Sequence, residues 1–130
     1  MRFFLHTPLS PQGQAALKKH EHAFHLAAEL AADPQAPPAT DSPAELLKLL
    51  TKKQWQLWTT DARLVHRIYE DKLEFPGGII VLMLDDPAVI GDQAAAVDRL
   101  FARYPRLTPR RLYTITASRV KIRQLPGVPV

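Results

Sequence analysis

The longest hydrophobic run of the chain is the six residues 79–84, IIVLML. A strand that is apolar at every position is typical of the middle of a parallel sheet, because helices cover both faces of such a sheet. The run is too short to cross a bilayer, which takes about 20 apolar residues in a helix. It therefore predicts a buried strand within an α/β domain.

Shorter apolar runs alternate with helical segments along the rest of the chain. Strands are predicted at residues 2–6, 21–26, 56–59, 79–84, 111–116 and 119–123. Helices are predicted from the caps Ser10, Ser42 and Asp61, and a fourth from the helical spacing of Val97, Leu100, Phe101 and Tyr104. This order predicts one α/β domain over residues 1–130. It is a three-layer sandwich with a mostly parallel central sheet, helices on both faces and a C-terminal antiparallel β-segment.

Composition narrows the class of protein. A chain of 130 residues can bury one real core. It contains no cysteine, which excludes disulfides and thiolate metal sites and suits a cytoplasmic protein. Its first residues lack the features of a signal peptide. Residues 33–43 contain four prolines and are predicted to form a surface loop.

Charge is distributed unevenly, although the net charge is only +4. All 13 acidic residues lie at or before Asp98, and the chain beyond it carries basic side chains alone. This distribution favours an anionic partner or an intramolecular match, and a solvated basic face is an equally good interpretation. The residues expected to contact such a partner are Arg99, Arg103, Arg110, Arg111, Arg119, Lys121 and Arg123.

Polar side chains follow two of the predicted strands. In an open α/β sheet, ligands bind outside the carboxyl ends of the strands. The residues at these positions are His6 and Thr7 after the first strand, and Thr59, Thr60 and Asp61 after the third. Asp41 is a further candidate, because Ser42 is assigned as the helix cap and leaves the Asp41 carboxylate for another partner.

Other polar or aromatic residues support a site less strongly. His20, His22 and His25 do not converge if they lie on a strand, because His25 then faces away from the other two. Trp55 and Trp58 are interpreted as packing residues, with base stacking as the alternative for an exposed Trp55. The sequence has no phosphate-binding loop, no GxSxG motif and no dinucleotide-binding glycine pattern.

Four segments, in order along the chain, resemble the PIN-like proteins, and in particular the small DUF5615 group related to the Mut7-C ribonuclease domain. They are MRFFLHTPL at residues 1–9, TDSPAELLKLL at 40–50, LWTTDARL at 57–64, and the strand at 76–84 together with the closing ITASRVKIRQLP. Active PIN-like proteins are similar to metal-dependent nucleases, in which clustered carboxylates hold Mg²⁺ or Mn²⁺ and the metal activates water. The resemblance therefore implies a PIN-like fold and a nuclease-like site.

The acidic positions of that family are matched only in part. Asp41 and Asp61 match acidic positions, so the resemblance assigns them the catalytic and metal-binding roles. His6 and Arg63 stand where two further aspartates are usual. One unit charge at 4 Å is worth roughly 4 kcal/mol at an effective dielectric of about 20. The site is therefore expected to bind Mg²⁺ or Mn²⁺ weakly or not at all.

Each substituted position has two interpretations. Arg63 is expected to form a salt bridge with Asp41 or Asp61 or to be exposed to solvent, in preference to contacting a phosphate. His6 is expected to be a hydrogen-bonded histidine at a strand end. A Zn²⁺ site shared by His6 and Asp61 is the less favoured alternative.

The resulting expectation is a PIN-like protein with a degenerate nuclease site that acts by binding RNA or a protein partner, as in a toxin–antitoxin pair. One alternative is an active Mg²⁺- or Mn²⁺-dependent ribonuclease that uses Asp41 and Asp61. The other is a non-catalytic oligomerisation module, because PIN-like proteins are often dimers. No membrane partner is expected.

Overall fold

The computed structural model has an α/β fold, and it describes residues 2–7, 10–26, 43–82, 93–116 and 120–126. The elements in chain order are β1 (Arg2–Leu5), α1 (Pro11–Lys19), β2 (Ala23–Leu26), α2 (Pro43–Lys53), β3 (Gln56–Thr59), α3 (Ala62–Glu70), β4 (Ile79–Leu82), α4 (Gln93–Arg103), β5 (Arg111–Ile115) and β6 (Val120–Gln124). Within the described ranges, no helix has both the length and the apolar character that a membrane span requires.

The six strands form one sheet in the order β2-β1-β3-β4-β5-β6. The first five are parallel, and β6 pairs antiparallel with β5. The predicted α/β class, with its mostly parallel sheet and C-terminal antiparallel segment, is confirmed. β1 lies between β2 and β3, so the carboxyl ends of β1 and β3 are neighbours.

Side chains that alternate along the strands enter two separate cores. Phe3 and Leu5 of β1 pack under α1 and α4, whereas Phe4 points to the opposite face, under α2 and α3. β4 is buried at every residue, as the fully apolar run predicts for a strand covered on both sides. The sheet is therefore the middle layer of a three-layer sandwich.

The second strand is shorter than the sequence predicts. It begins at Ala23, because α1 ends at a C-cap residue, His20, and Glu21 then takes a left-handed conformation with φ of 64°. His20 is therefore not on a strand, and the expectation that it shares a strand face with His22 is wrong. Three predicted parts lie outside the described residues. They are residues 33–42 of the predicted loop with the predicted cap Ser42, the end of the fourth predicted strand at 83–84, and residues 117–119 around the start of the last predicted strand.

Three helices end in the same backbone motif, and each does so without glycine. Glu21, Gln54 and Lys72 follow α1, α2 and α3 with φ between 51° and 64°. In each case the next residue donates its N–H to a carbonyl five positions back, as in His22 to Leu17 at 3.0 Å. A bond of this kind is typical of a Schellman motif, in which glycine is the usual left-handed residue. Arg110, before β5, also has a positive φ, of 63°.

The packing makes a test of the second core possible. Leu50 of α2 is fully buried against the sheet, whereas its neighbour Leu49 is only partly buried against the same core. Leu50→Ala is expected to lower the free energy of unfolding by about 2–5 kcal/mol, because the lost apolar contacts leave a cavity. Leu49→Ala is the matched control and should cost less than half as much. Urea unfolding followed by circular dichroism measures both, and equal losses would contradict the assignment of Leu50 to the core.

Candidate functional site

The carboxyl ends of β1 and β3 meet at the point where the strand order reverses. From β1 the chain continues to β2 on one side, while β3 lies on the other side of β1. Such switch points leave a crevice at the carboxyl edge, where α/β proteins bind ligands. The structure brings His6 and Thr7 together with Thr59, Thr60 and Asp61 at this edge, which is called the switch edge below.

The Thr59 hydroxyl is the hub of the switch edge. Thr59 is fully buried and is the one buried polar residue of the described ranges. Its Oγ1 lies 2.9 Å from His6 Nδ1 and accepts a hydrogen bond from the backbone N–H of Asp61 at 3.0 Å. The backbone N–H of His6 donates to the carbonyl of Trp58 at 2.9 Å. The end of β1 and the start of α3 are therefore held by one satisfied buried hydroxyl.

A second tie joins the same two loops. Thr7 Oγ1 accepts a hydrogen bond from the backbone N–H of Thr60 at 2.8 Å, and the Thr60 hydroxyl donates to it at the same distance. Both threonines are only partly buried, so this pair lies nearer to solvent than Thr59. The loops after β1 and β3 thus form a fixed floor for anything that binds at the switch edge.

Helix N-termini open at the switch edge. Asp61 caps α3, and its Oδ1 accepts from the backbone N–H of Arg63 at 2.9 Å. Ser10 caps α1 through its hydroxyl, which accepts from Gly13 N–H at 3.1 Å. The N–H of Ser10 donates to Gln93 Oε1 at 2.7 Å, which brings the start of α4 alongside. Helix N-termini carry partial positive charge and favour anions. The Asp61 carboxylate already meets the charge of α3, so the neutral cap of α1 leaves that end the more attractive to phosphate.

Burial keeps His6 neutral. Desolvation lowers the pKa of His6 below its ordinary value of 6.5, and the nearby Asp61 carboxylate opposes this with a smaller upward effect. His6 is therefore uncharged at pH 7. In the tautomer that carries its proton on Nε2, Nδ1 accepts the Thr59 hydroxyl proton.

Arg63 is almost entirely in solvent. Its side chain is 95% exposed, and its Nε lies 3.9 Å from Asp61 Oδ1. An exposed pair at this distance contributes little to stability. The guanidinium is therefore available to a ligand at the mouth of the switch edge.

The described residues offer few metal ligands. Asp61 uses Oδ1 as the cap of α3, and no described residue hydrogen-bonds its other carboxylate oxygen. Asp41, its expected partner, lies outside the described residues. In the described part of the chain, no three His, Asp or Glu residues gather as a metal site would require. His6 and Asp61 alone supply two ligands, which is two short of the tetrahedral set that Zn²⁺ prefers.

The predicted basic residues do not form one surface. Arg99 and Arg103 lie on α4, and Arg99 Nη1 donates to the carbonyl of Thr116 at 2.9 Å. Lys121 and Arg123 belong to β6, and the Arg123 guanidinium lies 4.0 Å from the ring centroid of Tyr69, on α3 at the opposite face of the sheet.

The other predicted basic residues are elsewhere. Arg110 donates its N–H to the Gly77 carbonyl at 3.0 Å, at the amino-terminal edge. Arg111 begins β5 at that edge and is half-buried, and Arg119 lies outside the described residues. Among the predicted basic residues that the structure describes, none forms a hydrogen bond with His6, Thr7, Thr59, Thr60 or Asp61.

The three neighbouring histidines have separate partners. His20 Nε2 lies 2.7 Å from Asp98 Oδ1, His22 packs on Phe101 with ring centroids 4.3 Å apart, and His25 stacks on Trp55 at 3.9 Å. Trp58 is fully buried and Trp55 half-buried. These residues pack the structure, and the stacking of Trp55 on His25 occupies one face of its ring.

Two features of the site could not be found from local sequence. Gln93 reaches the cap of α1 across 83 residues of sequence, and nothing in the pattern around it indicates that contact. The hub role of Thr59 is also non-local, since the His6 contact spans 53 residues. A threonine directly after the apolar pair Leu57 and Trp58 was the available signal, because a buried hydroxyl must find partners.

The shifted pKa of His6 predicts a pH dependence of stability. Because the folded-state pKa lies below 6.5, the unfolded chain binds the proton more readily. Stability is therefore full above about pH 7 and falls as the pH drops through 6.5 towards the folded pKa. His6→Asn places an amide near the Nδ1 position, does not titrate, and should flatten part of this dependence. The remainder is expected from His22, whose pKa burial also lowers.

Urea unfolding of both proteins between about pH 7.5 and pH 5 measures this difference. NMR titration of the His6 ring provides the direct readout. A midpoint above 6.5 would contradict the buried, neutral histidine.

Comparison of the chain with protein-family models, with curated proteins and with solved structures finds no match. The geometry of the switch edge is therefore the ground on which a function can be argued.

Proposed function

We propose that this chain is a PIN-like protein that binds RNA at the switch edge and acts by binding instead of by metal-dependent cleavage. One observation carries the proposal: two of the residues at the positions that the resemblance assigns to the nuclease site are engaged in holding the edge together. Asp61 caps α3, and His6 is neutral and bonded to Thr59. Arg63, with its exposed guanidinium, adds positive charge where a nuclease of this kind needs carboxylates.

A phosphate group fits the remaining chemistry of this edge. The N-terminus of α1 opens here with a neutral cap, Ser10, and its dipole favours an anion. Arg63 can approach the same anion, and a guanidinium binds phosphate in a two-pronged geometry. In the protein-partner form of the proposal, an acidic side chain of an antitoxin-like protein would occupy the same position. A chain without cysteine suits the cytoplasm, where either partner would be met.

An active ribonuclease is the second candidate, and one observation favours it. The carboxylate oxygen of Asp61 that does not cap α3 has no hydrogen-bond partner among the described residues. With Asp41 and water molecules, that oxygen could hold Mg²⁺ or Mn²⁺, which would activate water for attack on the phosphodiester. This candidate requires that metal affinity survive the positive charge of Arg63.

RNA binding gives the first test. A short fluorescently labelled single-stranded RNA should bind in the presence of EDTA, with an affinity that falls as salt is raised. Arg63→Ala should weaken binding and reduce the slope of log K against log salt by about 0.7, the value for one phosphate contact on a single strand. Arg106→Ala is the matched control, since Arg106 is exposed and follows the end of α4 that lies away from the switch edge. Fluorescence anisotropy measures all three proteins.

The same RNA separates the two candidates. Under the proposal it stays intact with Mg²⁺ or Mn²⁺ added. Cleavage that disappears in Asp61→Asn would instead support the ribonuclease, because asparagine caps a helix as well as aspartate does and leaves α3 in place. If the wild type and Arg63→Ala bind the RNA with equal affinity, the proposal that RNA binds at the switch edge is wrong.

Metal binding gives the second test. The wild-type chain should bind Mn²⁺ weakly in isothermal titration calorimetry. His6→Asp combined with Arg63→Asp should tighten binding by at least about tenfold, because two carboxylates replace a neutral and a positive group. His66→Asp with Arg67→Asp makes the same types of substitution at exposed positions of α3 and is the matched control. Tight stoichiometric binding by the wild type, or an equal gain in the control, would refute the degenerate-site interpretation.

A further inference from the structure

The second candidate surface is the outer edge of β6. The sheet order ends at β6, and no other strand of the described ranges pairs with its outer side. Four of its five residues are exposed. An edge strand of this kind presents backbone N–H and C=O groups in a row, which another extended chain can pair with.

The register fixes which backbone groups point outward. Leu125 donates its N–H to the carbonyl of Arg110 at 3.1 Å, and the pairing continues with Arg111 opposite Gln124. Opposite residues in an antiparallel ladder alternate between hydrogen-bonded and non-bonded pairs. Counting back in twos from the bonded residue Leu125, Arg123 and Lys121 direct their backbone groups at β5. Val120, Ile122 and Gln124 direct theirs outward.

One of these outward groups is already used. The Tyr69 hydroxyl donates to the carbonyl of Gln124 at 2.6 Å, which also agrees with that carbonyl lying outside the β5 ladder. Among the described residues, the groups that have no partner are both backbone groups of Val120 and of Ile122, together with the N–H of Gln124. They suffice to pair with one short strand.

The side chains of β6 sort by charge between the two faces. Lys121 and Arg123 share the face of α3, where Arg123 lies over Tyr69. In the described part of the chain no carboxylate forms an ion pair with either cation. Ile122 points to the opposite face and is 44% exposed, whereas most large hydrophobic side chains of the described residues are buried or partly buried. The edge therefore has two unneutralised cations on one face and an apolar contact on the other.

We propose that β6 binds an extended segment of a partner protein by strand addition. The segment has acidic residues at alternate positions, opposite Lys121 and Arg123, and an apolar residue between them that packs on Ile122. Backbone hydrogen bonds to Val120 and Ile122 supply register, and the alternation of charge and apolar contact supplies selectivity. The proposal concerns a different edge from the one argued for RNA, so either can fail without the other.

A second copy of this chain fits the edge poorly. Two β6 strands that pair antiparallel about a two-fold axis must centre on Lys121, Ile122 or Arg123 to overlap well. Centring on Lys121 or Arg123 places that cation opposite itself, and centring on Ile122 places Lys121 opposite Arg123. Like charges directly opposite each other destabilise a strand pair. Charge complementarity therefore favours an acidic partner over self-association.

The test uses a synthetic peptide with glutamate at alternate positions and valine between them. The matched control peptide has the same composition with its glutamates grouped together, so that they cannot all lie on one face of a strand. Calorimetry with the full chain should detect binding of the alternating peptide. The chain should bind the grouped peptide at least about tenfold more weakly. NMR should show new protection of the Val120 and Ile122 amides.

Two substitutions at one position isolate the backbone contribution. Ile122→Pro removes an outward N–H without taking a bond from the β5 ladder, and proline is tolerated at such edge positions. Ile122→Val keeps that N–H and is the matched control. The valine variant should bind the alternating peptide like the wild type, and the proline variant should lose at least about tenfold in affinity.

A charge exchange keeps the test valid if Ile122→Pro fails to fold. Lys121→Glu with Arg123→Glu should abolish binding of the glutamate peptide and confer binding of the same peptide with lysine in place of glutamate. The proposal is overturned if the two peptide arrangements bind equally or if a folded proline variant binds like the wild type. It is also overturned if sizing shows a β6-mediated dimer that the proline variant lacks. RNA that displaces the peptide and depends on Lys121 and Arg123 would assign those cations to RNA instead.

Discussion

A single buried hydroxyl, that of Thr59, fixes the geometry of the switch edge. It has to be satisfied because it is removed from water, and it is satisfied by groups from two different elements, the His6 ring and the backbone N–H of Asp61. That requirement sets the position of the histidine and the start of α3 relative to β1. The cap, the dipole of α3 and the position of Arg63 all follow from it.

Hydrogen bonds tie the described groups of the switch edge to one another, and this separates the edge from a carboxylate cluster. Closely spaced carboxylates repel one another and depend on a metal ion or a proton to remain together. Here a neutral histidine and a capping aspartate are held by hydrogen bonds to threonine and backbone. Under the proposed PIN-like relationship, histidine and arginine in place of aspartate would therefore change the local hydrogen bonding as well as the affinity for metal.

Local signals in the sequence were enough for the main elements of the fold. The caps Ser10 and Asp61 and the apolar run that contains β4 depend on residues close together in sequence, and all three are confirmed. The start of β2 was placed two residues too early, because Glu21 takes a left-handed turn that usually calls for glycine. Gln93 at the cap of α1, and the division of Arg99 and Arg123 between two faces, depend on how distant segments pack, which no local pattern records.

The four non-glycine residues with positive φ in the described ranges lie along one edge of the sheet. Glu21, Gln54 and Lys72 follow helices that run back from the switch edge, and Arg110 precedes β5, so all four lie towards the amino-terminal edge of the sheet. Each left-handed side chain costs on the order of 1 kcal/mol, and such strain is more often found at active sites. In this protein the strained turns and the candidate site occupy opposite ends of the strands. Selection can therefore adjust stability at one edge of the sheet and ligand recognition at the other with little interference between the two.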